Sequence, residues 1–363
     1  TSRAAMPMNS ERLAKVPALL KRFRQSVLAA ACSGRLTADW REQHPDVEPA
    51  SKLLDRILKE RRAKWEADQL AKMKASGKMP KDDKWKAKYE EPAALDTSDL
   101  PELPETWTWT SVNSLIIEPP CNGLSIPGSN DPPGLPALKL NAMSDAGFDY
   151  TCVRYLPLEP KDEADLIVRI GDFFVSRGNG SLSLVGRGTL AQQPPTQLIF
   201  PDTMIRLRLS EFVKQYRWIS CIWPSKSIRE QIERKAKTTA GIFKISQPDL
   251  TSISVPLAPL AEQREIVRRV EKLLKLADQI EKRVATATAR AEKLTQSILA
   301  KAFRGELVPT EAELARREGR DYEPASALLA RITAENRNTS SVLCGRERKK
   351  PPHATVARKG QSK

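Results

Sequence analysis

The chain has 363 residues, 60 Lys and Arg against 45 Asp and Glu, and a formal net charge of +15. It is long enough for a domain with its own core plus helical extensions, and no run approaches the roughly 18 apolar residues of a membrane span, nor does a secretory signal open it. Five scattered cysteines without a CxxC pair and only two histidines argue against a disulfide framework or a zinc site, and the free thiols point to a reducing cytoplasm.

In chain order, the first expected element is a helix over residues 1–35. Leu13, Val16, Leu20, Phe23 and Val27 step by three and four, which is the seam of a coiled coil with a period of about 3.5 residues. It runs into Gln25-Ser26-Val27-Leu28-Ala29-Ala30-Ala31-Cys32-Ser33-Gly34-Arg35-Leu36, followed by Glu48-Pro49-Ala50-Ser51 with Leu53, Leu54 and Ile57. Both blocks recur near the other end of the chain: Gln296-Ser297-Ile298-Leu299 through Gly305-Glu306-Leu307, then Glu323-Pro324-Ala325-Ser326 with Leu328, Leu329 and Ile332. Two copies separated by a unique middle do not make a solenoid, whose units must abut. They read as one scaffold element used twice around an interchangeable module.

Residues 36–98 read as a polar helical connector, with a helix over 51–73 and a Lys-rich loop around Trp85 and Tyr89. The unique module spans 99–257 and reads as a mixed α/β (α+β) domain. A strand-like segment follows Trp107 as far as Ile117, and a loop rich in Pro, Gly, Asn and Ser covers 118–136. Short apolar runs at 137–140, 166–170, 172–175, 182–185 and 204–209 are consistent with strands, and helical patterns cover 211–223 and 225–235. The module is electrostatically split. Residues 99–165 hold three basic and eleven acidic side chains, whereas 166–256 hold thirteen basic and six acidic. A basic half of this kind is the pattern of a one-sided nucleic-acid face.

A helix over about 260–303 follows, roughly 65 Å long at about 1.5 Å per residue. Ile266, Val270, Leu273, Ala277, Ile280, Val284, Ala287, Ala291, Leu294 and Ile298 alternate steps of four and three without a break. Its charged flanks leave one narrow stripe to bury, so it needs a partner helix. The first helix offers one: large residues in one copy correspond to alanines in the other, Leu20 with Ala291 and Val16 with Ala287. Because less helix precedes the first copy than the second, the chain reads as starting partway along its first long helix, as in the C-terminal part of a larger protein or a truncated gene product. Residues 305–336 form the repeat tail, and 337–363 read as a basic disordered tail.

One constellation is more specific. Gly171-Asp172-Phe173-Phe174-Val175-Ser176-Arg177-Gly178-Asn179-Gly180-Ser181, Leu184-Val185-Gly186, Ile205-Arg206-Leu207-Arg208 and Lys237-Thr238-Thr239-Ala240-Gly241 occur in that order. Val255-Pro256-Leu257-Ala258-Pro259-Leu260-Ala261-Glu262-Gln263 then leads into the long helix. Over residues 10–335 this resembles the specificity (S) subunit of type I restriction–modification systems, with one target-recognition domain in place of two. The resemblance implies an α/β recognition domain that reads half of a bipartite DNA target and long antiparallel coiled-coil helices that set the spacing. It implies modification (M) and restriction (R) subunits as partners, no catalysis by this chain and no cofactor bound to it; S-adenosylmethionine, ATP and Mg²⁺ would sit on the partners. Pairing with a second copy would compensate for the missing recognition domain.

The candidate DNA contacts are loop residues. Arg177, Asn179 and Ser181 sit between glycines, and Arg–guanine and Asn–adenine pairings are common base contacts; the same Arg-Gly-Asn-Gly run also suits a plain turn. Asn122, Gly123 and Ser125 lie in the long first loop, and Lys235, Lys237, Thr238 and Thr239 after a helix. Three rivals are weaker. Asp202 with Glu233 and Lys235 imitates a metal nuclease, and Asp131-Pro132-Pro133-Gly134 imitates an amino-methyltransferase motif but lacks its aromatic. A coiled-coil adaptor without DNA specificity would explain the heptads but not the basic half-domain.

Overall fold

A computed structural model of the chain describes residues 5–77, 79–144, 147–214, 217–239 and 241–344. It divides into two units, residues 1–284 and 285–363.

The first unit opens with helix α1 (Ala5–Cys32), the short α2 (Ala38–Gln43) and α3 (Ala50–Ala75). The central module begins with strand β1 (Thr108–Ser111), turns through α4 (Val112–Leu115), and continues as β2 (Cys121–Asn122), β3 (Leu135–Leu138), β4 (Met143–Ser144), β5 (Gly147–Phe148) and β6 (Val153–Leu156). After these come β7 (Asp172–Ser176), β8 (Gly178–Asn179), β9 (Gly188–Leu190) and β10 (Met204–Arg208). Helices α5 (Glu211–Lys214), α6 (Trp218–Ile222) and α7 (Lys226–Lys235) lead to the hairpin β11 (Lys237–Thr239) and β12 (Ile242–Lys244). Helix α8 (Gln247–Thr251) and strand β13 (Ser254–Leu257) precede the long α9 (Leu260–Phe303). The second unit holds the rest of α9, α10 (Glu311–Glu318) and α11 (Ala325–Cys344).

The centre of the module is an antiparallel sheet in the order β2-β10-β7-β9. Every residue of β7 is buried, so the strand faces a core on both sides and its side chains alternate between them. Phe173 and Val175, with Ile205 and Leu207 of β10, enter one core; Phe174 and Met204 enter the other. The first core is completed by α1, α3, the helices α4 to α8, and the start of α9, and the second by β3, β6 and the 198–200 segment. Arg208 is held within the sheet by Asp172 (Nε to Oδ1, 3.1 Å) and Glu118 (2.8 Å), so its charge is paired where water is scarce.

The segment read as a polar connector belongs to this core, because Ala50, Leu53 and Ile57 of α3 are fully buried in it. Farther along α3, Trp65 gathers Trp85 and Tyr89 at ring distances of 5.9 and 5.4 Å, which pins the Lys-rich loop. Helices α1 and α9 run antiparallel. Arg24 donates to Asp278 (2.8 Å) and Glu281 (2.6 Å), whereas Arg269, earlier in α9, reaches Leu36 O (2.9 Å) and Asp39 (2.6 Å) beyond the end of α1. Among the described residues no helix is long and apolar enough to cross a membrane.

Several expected strands take other forms. Residues 166–170 end a 3-10 helix (Pro160–Leu166) and continue as irregular chain; Leu166 and Val168 are buried, so the alternation reports a core face without a ladder. Residues 182–184 are a 3-10 turn that closes at Gly186, whose φ of +73° reverses the chain. The strand begun at Thr108 stops at Ser111, whose hydroxyl caps α4 by accepting from Ser114 N (3.3 Å). The helix expected over 211–223 is broken into α5 and α6 at Arg217, which sits at φ +56°. Helix α11 continues to Cys344, through residues expected to begin the disordered tail; the rest of that tail lies outside the described residues.

Candidate nucleic-acid interface

Two predicted loops, some sixty residues apart in sequence, meet in one small sheet of order β11-β12-β8. Asn179 pairs with Phe243 and Gly178 with Lys244; across the hairpin, Thr238 pairs with Phe243 and Lys237 with Lys244. Glycine at 178 eases the close pairing, since a Cβ there would lie 3.2 Å from Lys244 Cγ and 3.3 Å from Phe243 O, tighter than ordinary contact. Gly241, at φ +77°, allows the two-residue turn that reverses β11 into β12.

Paired residues point to the same side of a sheet. Phe243 packs on the core, so Asn179 and Thr238 share its face, and Lys237, Ile242 and Lys244 take the other. These last three side chains are exposed. Among the described residues Arg177, Lys235, Lys237 and Lys244 form no ion pair, while nearby Glu233 is engaged by Arg229 (2.9 Å) and Asp249 by Ser246 (2.6 Å). The edge therefore carries uncompensated positive charge.

Arg177 is the link between β7 and β8. Its N–H donates to Thr203 O (2.8 Å) and its carbonyl accepts from Ile245 N (2.9 Å), which leaves a half-buried guanidinium without a partner. Asn179 Oδ1 accepts from Ser181 N (3.1 Å), and the Ser181 hydroxyl lies 2.9 Å from that of Ser183, so both turn residues also have local structural work. Lys235 is the last residue of α7, and Lys237, Thr238 and Thr239 form strand β11 where a loop was expected.

The first-loop candidates are placed less uniformly. Asn122 pairs with Ile205 in the central sheet, and its Oδ1 accepts from Gln247 Nε2 (2.9 Å), which ties it to the helix after β12. Gly123 has a packing reason to be glycine: a Cβ would fall 1.9 Å from Phe200 O. Ser125 is exposed, next to the turn formed by Pro201, Asp202 and Thr203. Lys244 was not anticipated. The signal was available, because Lys237 and Lys244 are symmetric about Ala240-Gly241, as a hairpin requires.

The coiled-coil positions divide by unit. In the first, Leu20, Val27, Ile266, Val270 and Ala277 are buried and Leu13, Val16, Phe23, Leu273 and Val284 half-buried, with Ile280 at the exposed margin. In the second, Ala287, Ala291 and Leu294 are exposed and Ile298 is half-buried. Of the imitated nuclease trio, Asp202 lies on a turn and Glu233 and Lys235 on α7, and no group of three or more His, Cys, Asp or Glu among the described residues is placed to hold a metal ion.

No family model matches the chain. Among curated proteins it is 32% identical over 338 residues to the type I restriction enzyme EcoKI specificity subunit of Escherichia coli (strain K12), an alignment covering 92% of this chain and 59% of that one. It is 32% identical over 336 residues to the StySPI specificity subunit of Salmonella potsdam, with the same two coverages. It is 30% identical to the EcoDI specificity subunit of Escherichia coli, covering 92% of this chain and 64% of that one. The chain thus spans about 59% of the length of the first two relatives. Among solved structures, the HsdS subunit from Thermoanaerobacter tengcongensis aligns with a TM-score of 0.40 and 20% identity, over 82% of this chain and 58% of that one. The sequence relationship extends over 92% of this chain, and along that length the chain is similar to type I restriction enzyme specificity subunits.

Proposed function

We propose that this chain reads one half of a bipartite DNA sequence and carries that reading into a type I restriction–modification complex. The observation that carries the proposal is the β11-β12-β8 sheet, which joins the Arg177–Ser181 turn to the Lys237–Lys244 hairpin and leaves their cations unpaired. Unpaired Lys and Arg on a sheet edge suit phosphates, and an arginine between glycines suits a base edge. In this reading residues 99–257 are the recognition domain, α1 and α9 are the spacer, and the chain performs no catalysis. M subunits would dock on the helices and methylate adenine with S-adenosylmethionine, R subunits would cleave with ATP and Mg²⁺, and the complex would work in the cytoplasm.

The stripe beyond residue 284 has unfilled apolar positions, with Leu294 53% and Phe303 91% exposed. Pairing with a second copy of the chain would cover such a stripe and would double the recognition domain. The test is co-expression with the M subunit of the same system, followed by mapping of methylated adenines on a plasmid. A palindromic bipartite target supports self-pairing, and an asymmetric one requires a different second recognition domain. An assembled complex that methylates no defined sequence rejects the recognition reading.

A further inference from the structure

A second surface adjoins the sheet. Between the β3–β6 strand pair and the 201–203 turn lies an open cleft of about 470 Å³. The turn is one wall of it, and Thr203 O of that turn is the acceptor for Arg177 N–H (2.8 Å), which ties the cleft wall to the turn that leads into β8. Arg154 and Asp202 both line the cleft and both are half-buried. Neither side chain makes a hydrogen bond or ion pair among the described residues, and Arg154 Nε is buried with no acceptor at all.

That arrangement is costly for a folded chain by itself. A buried donor left unmade carries a desolvation cost that is larger on a charged group, so an orphan of this kind calls for an explanation. Two other half-buried arginines of the module are paired: Arg208 with Asp172 and Glu118, and Arg229 with Glu233. Lys139, also in the cleft wall, is held by Asn130 Oδ1 at 2.9 Å. Arg154, opposite Ala137 in the β3–β6 pair, has no such partner among the described residues, which it shares with Arg177 at the cationic edge.

We propose that Arg154 and Asp202 are sequence-reading residues and that together they fit the major-groove edge of a G·C pair. Guanine presents two acceptors, O6 and N7, that a guanidinium fork satisfies, and its cytosine partner presents an N4 amino donor that a carboxylate accepts. One unpaired donor and one unpaired acceptor on facing walls match that edge and mismatch A·T, where the donor and acceptor positions are exchanged. The assignment rests on the DNA-recognition reading above and adds a specific base pair to it.

The test is selection of bound sequences from a randomised duplex pool by the full chain, compared with Arg154→Gln and Asp202→Asn, with melting temperatures to verify folding. Expected is a wild-type motif with a fixed G·C pair whose preference falls about tenfold or more in each variant, at the same position in both, as befits a bidentate contact worth roughly 1–3 kcal/mol. The salt dependence should stay unchanged. A uniform loss across all sequences with a reduced salt slope would make Arg154 a phosphate contact and overturn the assignment. Two folded variants that select the wild-type motif would overturn it as well and leave the recognition reading standing. A wild-type chain that selects no sequence would reject both.

Discussion

Glu262 is fully buried at the start of α9, where Thr37 Oγ1 (2.6 Å), Arg41 and Trp107 Nε1 (2.8 Å) all donate to it. One carboxylate therefore joins the segment after α1, the entry to β1 and the long helix. Removing it strands three donors, and breaking a buried pair costs roughly 3–5 kcal/mol; Arg41 retains some access to water, so Glu262→Ala is expected to cost about 3 kcal/mol, read from the urea midpoint. An unchanged midpoint would mean that the junction is not held by this network. Glu265, one turn on, behaves differently. Arg268 grips it with two 2.7 Å hydrogen bonds and Arg269 adds another, which holds its carboxyl down at about 2. The unfolded chain would titrate near the ordinary glutamate value of about 4.3. In that window the unfolded state binds more protons, so this contribution is full above about pH 5 and is lost as pH falls toward 2. Glu265→Gln should flatten the fall in stability between pH 5 and 2, measured by denaturation at a series of pH values. A slope identical to wild type would show that the exposed Arg268 contact is screened to nothing.

At the scale of elements, the heptad stripe on α9 predicts a contrast along one helix. Ile266 is fully buried in the first core, and Ile266→Ala should cost about 2–5 kcal/mol. Leu294 holds an equivalent seam position but is exposed, and Leu294→Ala should move the isolated chain by less than about 0.5 kcal/mol. Chemical denaturation of the two variants tests this, and equal losses would mean that the distal stripe is covered in solution. The heptad pattern was legible because ten positions repeat without a break, but the chain buries it only at its start: Ile266, Val270 and Ala277 are buried, whereas Ala287, Ala291 and Leu294 are exposed. The four- and five-residue apolar runs were not legible: at 182–185 and 166–170 a 3-10 turn and an irregular chain give the same pattern as a strand. The β11-β12-β8 sheet was hidden for the opposite reason. Its strands are two or three residues long and mostly polar, so their pairing depends on register against the folded module rather than on any local pattern. Sequence therefore pointed to Arg177, Asn179 and Lys237 one by one, and only the fold brought them to one edge. The repeat shows the same limit. Leu53 and Ile57 of the first copy are buried against the module, whereas Leu328 and Ile332 of the second are exposed, so identical sequence does not carry identical burial.

For the whole molecule, the sum of +15 understates how the charge is arranged. Residues 99–165 carry eleven acidic side chains against three basic, and 166–256 thirteen basic against six acidic, so a polyanion approaching the module meets opposite signs on different segments of one fold. Part of the basic set is engaged internally: Arg206 donates to Asp165 O, Arg208 to Glu118 and Asp172, and Arg229 to Val185 O and Leu182 O. If the phosphate contacts are those of the β11-β12-β8 edge, where Lys237 and Lys244 are exposed, the salt dependence is modest despite the high net charge. Each neutralised phosphate contributes about 0.9 to the slope of log affinity against log salt concentration. Lys237→Gln and Lys244→Gln should each lower that slope by about one and weaken arbitrary duplexes to the same extent as the cognate one, measured by fluorescence anisotropy between low and moderate salt. If both variants keep the wild-type slope, the phosphates lie elsewhere and the outward face of the hairpin is not the contact. If the slope falls by one for each while the selected motif is unchanged, the division of labour is fixed: lysines at the edge hold the backbone, and base discrimination belongs to other side chains of the module.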